Sequence, residues 1–220
     1  MELTEMMQKK INDGREYRSM TMDVADADEY MVVGYATTFD EPYHLYNTQD
    51  KKGNDIEVKE VVDRNAFDRT DMSDVIFQYD HEGRVFARLS NKTLEVSPDD
   101  HGLYVKAYLG GTEIGRNLYE EIKGGYTDKM SFGFTVDDDA MTYEDGAYLR
   151  RIKSVGKLYD VSAVSIPANG NTVIVSARKH CDGVIAELET ERARAEEEAR
   201  LIAEKRENLL MKLKGLKNGN

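Results

Sequence analysis

The sequence predicts a mainly β protein with peripheral helices, an α+β arrangement, followed by a long C-terminal helix. Three observations lead to this fold class. Short runs rich in β-branched and aromatic residues recur from Glu29 to Ser176, with Gly, Asn and Asp clusters between them. Helical periodicity interrupts these runs at only a few places, and a charged heptad pattern follows them. About ten such runs at this spacing are typical of an antiparallel barrel or sandwich.

The composition argues against several other classes of protein. The chain has 220 residues, of which 40% are hydrophobic, so it can form one folded domain with an appendage. Its net charge of −12 would repel a phosphate backbone, so we expect no nucleic-acid partner. No apolar run approaches the length that spans a bilayer, so we expect no membrane partner. The N-terminal MELTEMMQKK lacks the pattern of a secretory signal, which indicates a cytoplasmic location.

Changes in residue composition and in hydrophobic periodicity divide the chain into three segments. Residues 1–24 are expected to form a loose N-terminal arm, because their few apolar positions near helical spacing are uncapped. Residues 25–178 are expected to form the β domain. Its clearest alternations are Leu103, Val105, Ala107, Leu109 and Met130, Phe132, Phe134, and we expect the second set to point into the core. The candidate strands are YMVVGYAT, DIEVKEVV, DVIFQYD, VFARLS, KTLEVS, GLYVKAYL, MSFGFTV, YLRRIKSV, LYDVSAVSI and TVIVSA.

Two segments inside this domain have helical character. DRNAFDRT, residues 63–70, can form one or two turns. TEIGRNLYEEIK is a stronger candidate, because Thr112 can cap it and three apolar residues line one face: Ile114, Leu118 and Ile122. Residues 138–146 are polar and are expected to form a hairpin loop.

The tail, residues 179–220, follows a heptad pattern that predicts a long helix. One core position of the heptad holds Leu188, Ala195, Ile202, Leu209 and Leu216. The other holds Ile185, Arg192, Ala199, Arg206 and Leu213, so two arginines weaken a permanent coiled coil. Residues 185–217 hold eight acidic and eight basic residues, with acids dominating the first half and bases the second. The pattern leaves two alternatives, a helix packed on its own barrel and an arm that binds another helix.

Among the four histidines, His81 has the setting best suited to catalysis. It ends a strand-like run and is flanked by Asp80 and Glu82, and carboxylates beside an imidazole can orient it as a base. His44 and His101 lie in loop-like stretches, and His180 lies in the charged junction before the tail. From these residues alone, an ordinary strand-end histidine in an acidic loop remains the commoner interpretation of His81.

Ser131 and Cys181 are the candidate nucleophiles. Ser131 lies between the inward-pointing Met130 and Phe132, so it shares the opposite face with Gly133, where an extended peptide could lie across the strand. An ordinary outward strand serine has the same pattern. Cys181 is the only cysteine, so an internal disulfide and a multi-cysteine zinc site are excluded. Cys181 also lies in a linker-like segment, which argues against a role as a nucleophile.

Asp160 is a lone acid in the apolar strand LYDVSAVSIPAN. A buried carboxylate must be paired or hydrogen-bonded, and an imidazole would be one good partner. The alternatives are backbone amides, or cationic side chains on a neighbouring strand, namely Arg150, Arg151 or Lys153.

Together these pieces resemble one known family. From about Val32 to Ala177, the chain resembles the prohead (capsid maturation) serine proteases of tailed bacteriophages. The matching pieces, in order, are GYAT, FQYDHE, KMSFGF and LYDVSAVSIPAN. The resemblance implies a fold similar to the herpesvirus assembly proteases, which is a closed, mostly antiparallel β-barrel ringed by helices.

The resemblance also implies roles for single residues. Ser131 would be the nucleophile and His81 the general base. Asp160 would be the third member, with Glu82 in reserve. The departure from the family follows Pro167, where this chain reads Asn-Gly-Asn instead of continuing to a further proline. Oxyanion donors would be backbone amides near residues 168–170.

The activity implied is cleavage of capsid-protein or scaffolding segments inside the phage prohead in the host cytoplasm. The partners would be the major capsid protein and the scaffolding protein, with a homodimer possible. No metal or organic cofactor is expected. Self-cleavage is expected at the polar junction around residues 178–183. The competing hypothesis is a non-enzymatic scaffold or assembly chaperone with a β-barrel module and a coiled-coil arm.

Overall fold

A computed structural model describes residues 5–24, 29–51, 53–165 and 175–217. The helices are α1 (Glu5–Asn12), α2 (Glu113–Lys123) and α3 (Val175–Lys217). The strands are β1 (Glu16–Val24), β2 (Met31–Thr38), β3 (Tyr43–Gln49), β4 (Asp55–Val62), β5 (Ile76–Tyr79), β6 (Glu82–Arg88), β7 (Leu94–Pro98), β8 (Gly102–Tyr108), β9 (Lys129–Glu144) and β10 (Ala147–Val164). The chain forms two compact units, residues 1–180 and 181–220. The mainly β class with a C-terminal helix is confirmed.

The strands form one ten-stranded sheet that is not closed. The main order is β3-β4-β10-β9-β1-β2-β8-β7, while β5 pairs with β10 and β6 pairs with β5. Among the described residues, the end strands β3 and β7 each pair on one side only. The predicted closed barrel is therefore wrong. Counting strand-like runs does not reveal closure, because closure depends on whether the two end strands meet.

The long hairpin of β9 and β10 carries the centre of the sheet. The turn between them is Asp145–Gly146, and both residues have positive φ, as tight hairpin turns require. Residues 138–144, expected in a loop, continue β9 instead. Along its other edge β10 pairs in parallel with β4 at one end and with β5 further on. Because β10 pairs with β9 along one edge and with β5 along the other, only the end of β10 separates the turn after β5 from β9.

The predicted alternation of β9 is confirmed, since Met130, Phe132 and Phe134 are buried in the main apolar core. β1 comes from the segment expected to be a loose arm. Its residues 16–21 pair with β9 and its residues 22–24 pair with β2, so it lies in the middle of the strand order. The segment boundaries at 24 and 178 stay predictions.

α2 begins as the sequence predicts. Thr112 caps it, and the Thr112 side-chain oxygen accepts a hydrogen bond of 3.0 Å from the amide of Gly115. The buried face consists of Gly115, Leu118, Tyr119 and Ile122. Ile114, expected on this face, is 40% exposed. Residues 63–70, the other helix candidate, form a series of turns.

Charged side chains of four strands form a buried network. Arg150 donates to Glu16 at 2.7 and 2.9 Å, to Glu60 at 3.0 Å and to Asp139 at 2.5 Å. Arg18 donates to Glu60 at 2.6 and 2.7 Å and to Glu16 at 2.7 Å. Burial by itself would raise the pKa of Glu16, but the two guanidinium groups hold that pKa below its ordinary value. The network ties β1, β4, β9 and β10 together.

α3 supplies the predicted long helix and extends further toward the N-terminus than expected. Its first residues, Val175 to Ala177, belong to the candidate strand TVIVSA, of which residues 172–174 lie outside the described part. No helix in the described ranges is both long enough and apolar enough to cross a membrane.

Candidate active site

His81 lies in the tight turn that joins β5 to β6. Tyr79 pairs with Glu82, so the turn consists of Asp80 and His81, with φ of 49° and 60°. Two-residue hairpin turns commonly have positive φ at both central residues, because this conformation matches the twist of the two strands. It is unfavourable for a non-glycine residue and is often retained where a side chain must be aimed.

The turn is held from two sides. The Asp80 amide donates to the carbonyl of Ala163 at 2.9 Å, and the Asp80 carboxylate accepts from the amide and the hydroxyl of Ser165, both at 2.9 Å. Lys10 of α1 donates to the carbonyl of His81. These bonds fix the turn to the end of β10 and to α1, and so fix the position of the imidazole.

Ser131 and Asp160 lie on neighbouring strands. Ser131 of β9 pairs with Ser162 of β10, and Gly133 pairs with Asp160. Residues opposite each other across a sheet point to the same face, and residues two apart on one strand do so as well. Ser131 and Asp160 therefore point to the same face, which is opposite to the face that carries Phe132.

The three side chains form one hydrogen-bonded set. His81 Nε2 lies 2.7 Å from Ser131 Oγ, and His81 Nδ1 is hydrogen-bonded to Asp160 Oδ1. Ser162 Oγ donates to the same Asp160 oxygen at 3.0 Å. Only 1% of Ser131, 4% of His81 and 2% of Asp160 is exposed. An ionised carboxylate only accepts hydrogen bonds, so in the neutral tautomer that donates from Nδ1 to Asp160, Nε2 is the acceptor that faces the Ser131 hydroxyl.

Tyr17 and Gly133 shape the surroundings of this set. The Tyr17 ring packs edge-on against the His81 ring, with centroids 4.4 Å apart. A Cβ atom at Gly133 would lie 2.7 Å from Tyr17 Cε1 and 2.8 Å from Asp160 Oδ2. The missing side chain thus lets Tyr17 and Asp160 approach each other over β9. Burial, and then the charge of Asp160, raise the pKa of Tyr17 above its usual value.

This packing differs from the expectation for the outer face of β9. The sequence suggested an open surface at Ser131 and Gly133, but both residues are buried. Tyr17, from the segment expected to be an arm, covers Gly133. Gly133 therefore accommodates neighbouring side chains of the same chain.

Two residues of this site were not predicted from the sequence. Ser162 follows Asp160 by two positions in a strand, and this spacing places both on one face, so a strand assignment could have found it. Tyr17 had no such signal, because its contact with His81 depends on the pairing of β1 with β9.

The other candidate residues have partners elsewhere. His44 contacts Glu57 at 3.1 Å, and His180 contacts Asp139 at 3.1 Å. His101 packs edge-on against Tyr35. Cys181 is buried. The expected oxyanion donors, residues 168–170, lie outside the described residues.

The cationic alternatives for Asp160 also pair elsewhere. Arg150 belongs to the buried network described above, and Arg151 lies 3.5 Å from Asp40. Lys153 lies 4.0 Å from Asp138. The Asp160 carboxylate instead accepts hydrogen bonds from His81 and Ser162. In the described part of the chain, no group of three or more His, Cys, Asp and Glu side chains is arranged to hold a metal ion.

Gly133→Ala should lower kcat/KM by roughly 10- to 100-fold, because it would misalign the hydrogen-bonded set of Ser131, His81 and Asp160, and a misplacement of reacting groups by about 1 Å can cost about 100-fold. The new methyl group would have to push aside Tyr17 or the Asp160 carboxylate. Steady-state hydrolysis of a peptide substrate measures the effect. Gly111→Ala is the matched control, since a Cβ there meets nothing within 4 Å. Equal activity of the two variants would contradict this account of Gly133.

A serine, an imidazole and a carboxylate in this order are the arrangement that serine proteases use. The comparison with known families agrees with that class. The model of the caudovirus prohead serine protease family matches residues 16–184, more than half of the chain, and the protein belongs to that family. It is thus a serine protease of capsid maturation. The searches of curated proteins and of solved structures gave no match. The family assignment favours an enzyme over the non-enzymatic scaffold.

Proposed function

We propose that this chain is an endopeptidase that cleaves capsid-protein or scaffolding segments by acyl transfer, with Ser131 as the nucleophile, His81 as the general base and Asp160 as the third member. The observation that carries the proposal is the continuous set of hydrogen bonds from Ser131 through His81 to Asp160. Membership of the prohead protease family supports the choice of substrate class.

In the first step, Ser131 Oγ attacks the peptide carbonyl carbon while His81 Nε2 takes the hydroxyl proton. The carboxylate of Asp160 stabilises the imidazolium that forms. The tetrahedral intermediate expels the amine, which receives the proton from Nε2, and an acyl-enzyme remains. Water then attacks the ester with His81 again as the base, and this step releases the new carboxylate and restores Ser131.

Ser162 and Tyr17 act as positioning residues in this scheme. Ser162 donates to the same oxygen of Asp160 that contacts the imidazole, which limits rotation of the carboxylate. Tyr17 packs against the imidazole and excludes water from that side. Exclusion of water strengthens the interaction between Asp160 and the imidazolium. Ser131 is nearly inaccessible to solvent, so the residues that bury it must move before a substrate can reach its hydroxyl.

The site of action in this proposal is the interior of the phage prohead in the host cell. The major capsid protein and the scaffolding protein are the proposed partners. Confinement with them in the shell would raise the local substrate concentration, so even a slow enzyme could complete its work. Self-cleavage around residues 178–183 would require local unwinding, since this junction belongs to α3.

Ser131→Ala tests the proposal by expression of the full chain. We expect the wild-type chain to yield shortened fragments and to cleave added capsid protein, and the variant to stay intact and inactive. Ser97→Ala is the matched control, because Ser97 is an exposed serine on β7. Identical fragment patterns for wild type and Ser131→Ala, or no cleavage of capsid protein by either, would contradict the assignment of Ser131.

A further inference from the structure

The distal half of α3 presents an apolar face to solvent. Every residue from 191 to 211 is exposed. Large apolar side chains in this stretch are 44 to 66% exposed: Leu201, Ile202, Leu209, Leu210 and Met211. A single helix exposed in this way gains little from burial, and most helical stability in proteins comes from packing of an apolar face. This half of α3 is therefore suited to pair with another helix.

One face of the helix has the spacing of a coiled-coil seam. Ala195, Ala199, Ile202, Arg206 and Leu209 follow one another at alternating intervals of four and three residues. Such residues lie along a single stripe of a helix. Arg206 places a positive charge within this stripe. A helix that pairs with the stripe must therefore offer a side chain that accommodates the charge.

We propose that α3 pairs in antiparallel orientation with α3 of a second copy of this chain. In the register that places Ala199 opposite Ile202 of the second copy, Arg206 lies opposite Ala195. A two-fold axis makes every contact occur twice. The small alanine side chain leaves room for the long arginine stem, whose charged end can reach the edge of the seam.

The charges along the seam are complementary in this register. Glu198 lies opposite Lys205 of the second copy at the edge of the seam. Arg206 lies beside Glu196 of the second copy at the other edge. Within residues 185–217, acids dominate the first half and bases the second, so reversal of direction brings unlike charges together. Flanking charges of this kind set partner choice and orientation in coiled coils.

A parallel pair would place like charges together. Arg206 would lie opposite Arg206 of the second copy, and the Arg192 side chains would oppose each other as well. Glu191 would lie beside Glu196 of the second copy. Like charges across a seam are destabilising, so the same sequence that favours the antiparallel pair disfavours the parallel one.

Charge reversal tests both the partner and the register. The experiment uses full-length Ser131→Ala chains, because self-cleavage around residues 178–183 would otherwise remove the tail, and it does not depend on proteolytic activity. Sedimentation equilibrium should detect a concentration-dependent dimer. Glu198→Lys alone and Lys205→Glu alone should each weaken the dimer by roughly tenfold or more, since each places two like-charged pairs at the seam. Both changes in one chain restore unlike pairs and should restore the affinity. Glu204→Lys, away from the seam, should have no effect.

Disulfide formation tests the orientation in a Cys181→Ser background. In the antiparallel pair, Ala195→Cys chains should not cross-link to one another, but they should cross-link to Arg206→Cys chains after mixing. Cross-linking of Ala195→Cys chains to themselves would overturn the antiparallel arrangement. If the full-length Ser131→Ala chain with an unchanged tail stays monomeric at all concentrations, a second copy is not the partner of α3. Circular dichroism checks that each variant stays helical.

Discussion

Asp160→Asn is expected to lower kcat/KM by roughly 10³- to 10⁴-fold, the order of effect that neutralising the carboxylate of a Ser-His-Asp set has. The substitution preserves the shape of the side chain but removes the charge that, in the proposed mechanism, stabilises the imidazolium. It also allows the amide nitrogen to face His81 Nδ1, which would favour the tautomer with a proton on Nε2. That tautomer cannot accept the proton of Ser131, although the two atoms lie 2.7 Å apart.

Glu82→Gln is the matched control for this prediction, because Glu82 is the alternative third member and lies directly after His81 in the chain. We expect its kcat/KM to stay within a few-fold of the wild-type value. The measurement is hydrolysis of a peptide by purified full-length variants, with circular dichroism to show that both are folded. A large loss in Glu82→Gln together with an active Asp160→Asn would assign the role to Glu82 instead.

Local sequence patterns predicted those features of the fold that depend on neighbouring residues. The alternation of Met130, Phe132 and Phe134 predicts their burial, because a strand has a period of two. The cap at Thr112 predicts the start of α2, because the side-chain oxygen satisfies an amide within three residues. The heptad pattern predicts a C-terminal helix, and α3 extends to Lys217.

Long-range pairing could not be predicted in the same way. The candidate strand YLRRIKSV and residues 158–164 of the candidate strand LYDVSAVSI belong to one strand, β10, because register shifts let it continue past Gly156. β3 has no clear apolar alternation, and β1, in which Met20, Met22 and Val24 do alternate, lies in the segment that was expected to form a loose arm. The closed barrel, which was expected from the resemblance, depends on whether the end strands meet, and β3 and β7 do not pair.

The candidate site illustrates the same division. The sequence predicts His81, Ser131 and Asp160 through the order and spacing of FQYDHE, KMSFGF and LYDVSAVSIPAN, which carry the resemblance to the prohead proteases, whereas the residue types alone left ordinary structural interpretations open. The roles of Tyr17 and Gly133 depend on which strand lies beside β9, and no local pattern reports that. The motifs of this sequence therefore suggest candidate reactive groups more readily than the side chains that orient them.

Arg150→Met is expected to lower the free energy of unfolding by roughly 3 to 5 kcal/mol, the cost of removing one partner from a buried ion pair. Arg150 contacts three carboxylates, on Glu16, Glu60 and Asp139. Without it, Arg18 is left to balance Glu16 and Glu60 together, and Asp139 loses its guanidinium partner. Methionine matches the arginine stem in length, so the loss is electrostatic rather than one of volume.

Arg151→Met is the matched control, since Arg151 follows Arg150 on the same strand and is 41% exposed at its side chain. Its exposed ion pairs are worth at most about 1 kcal/mol. Urea denaturation of both variants measures the difference, and equal midpoints would contradict the importance of the buried network.

The pH dependence gives a second measurement. The pKa of Glu16 is lowered in the folded chain, so its contribution is present above the ordinary value of 4.5 and is lost as the pH falls through the folded-state value. Arg150→Met removes part of the cause of that shift, so its free energy of unfolding should decline less steeply on acidification than that of the wild type.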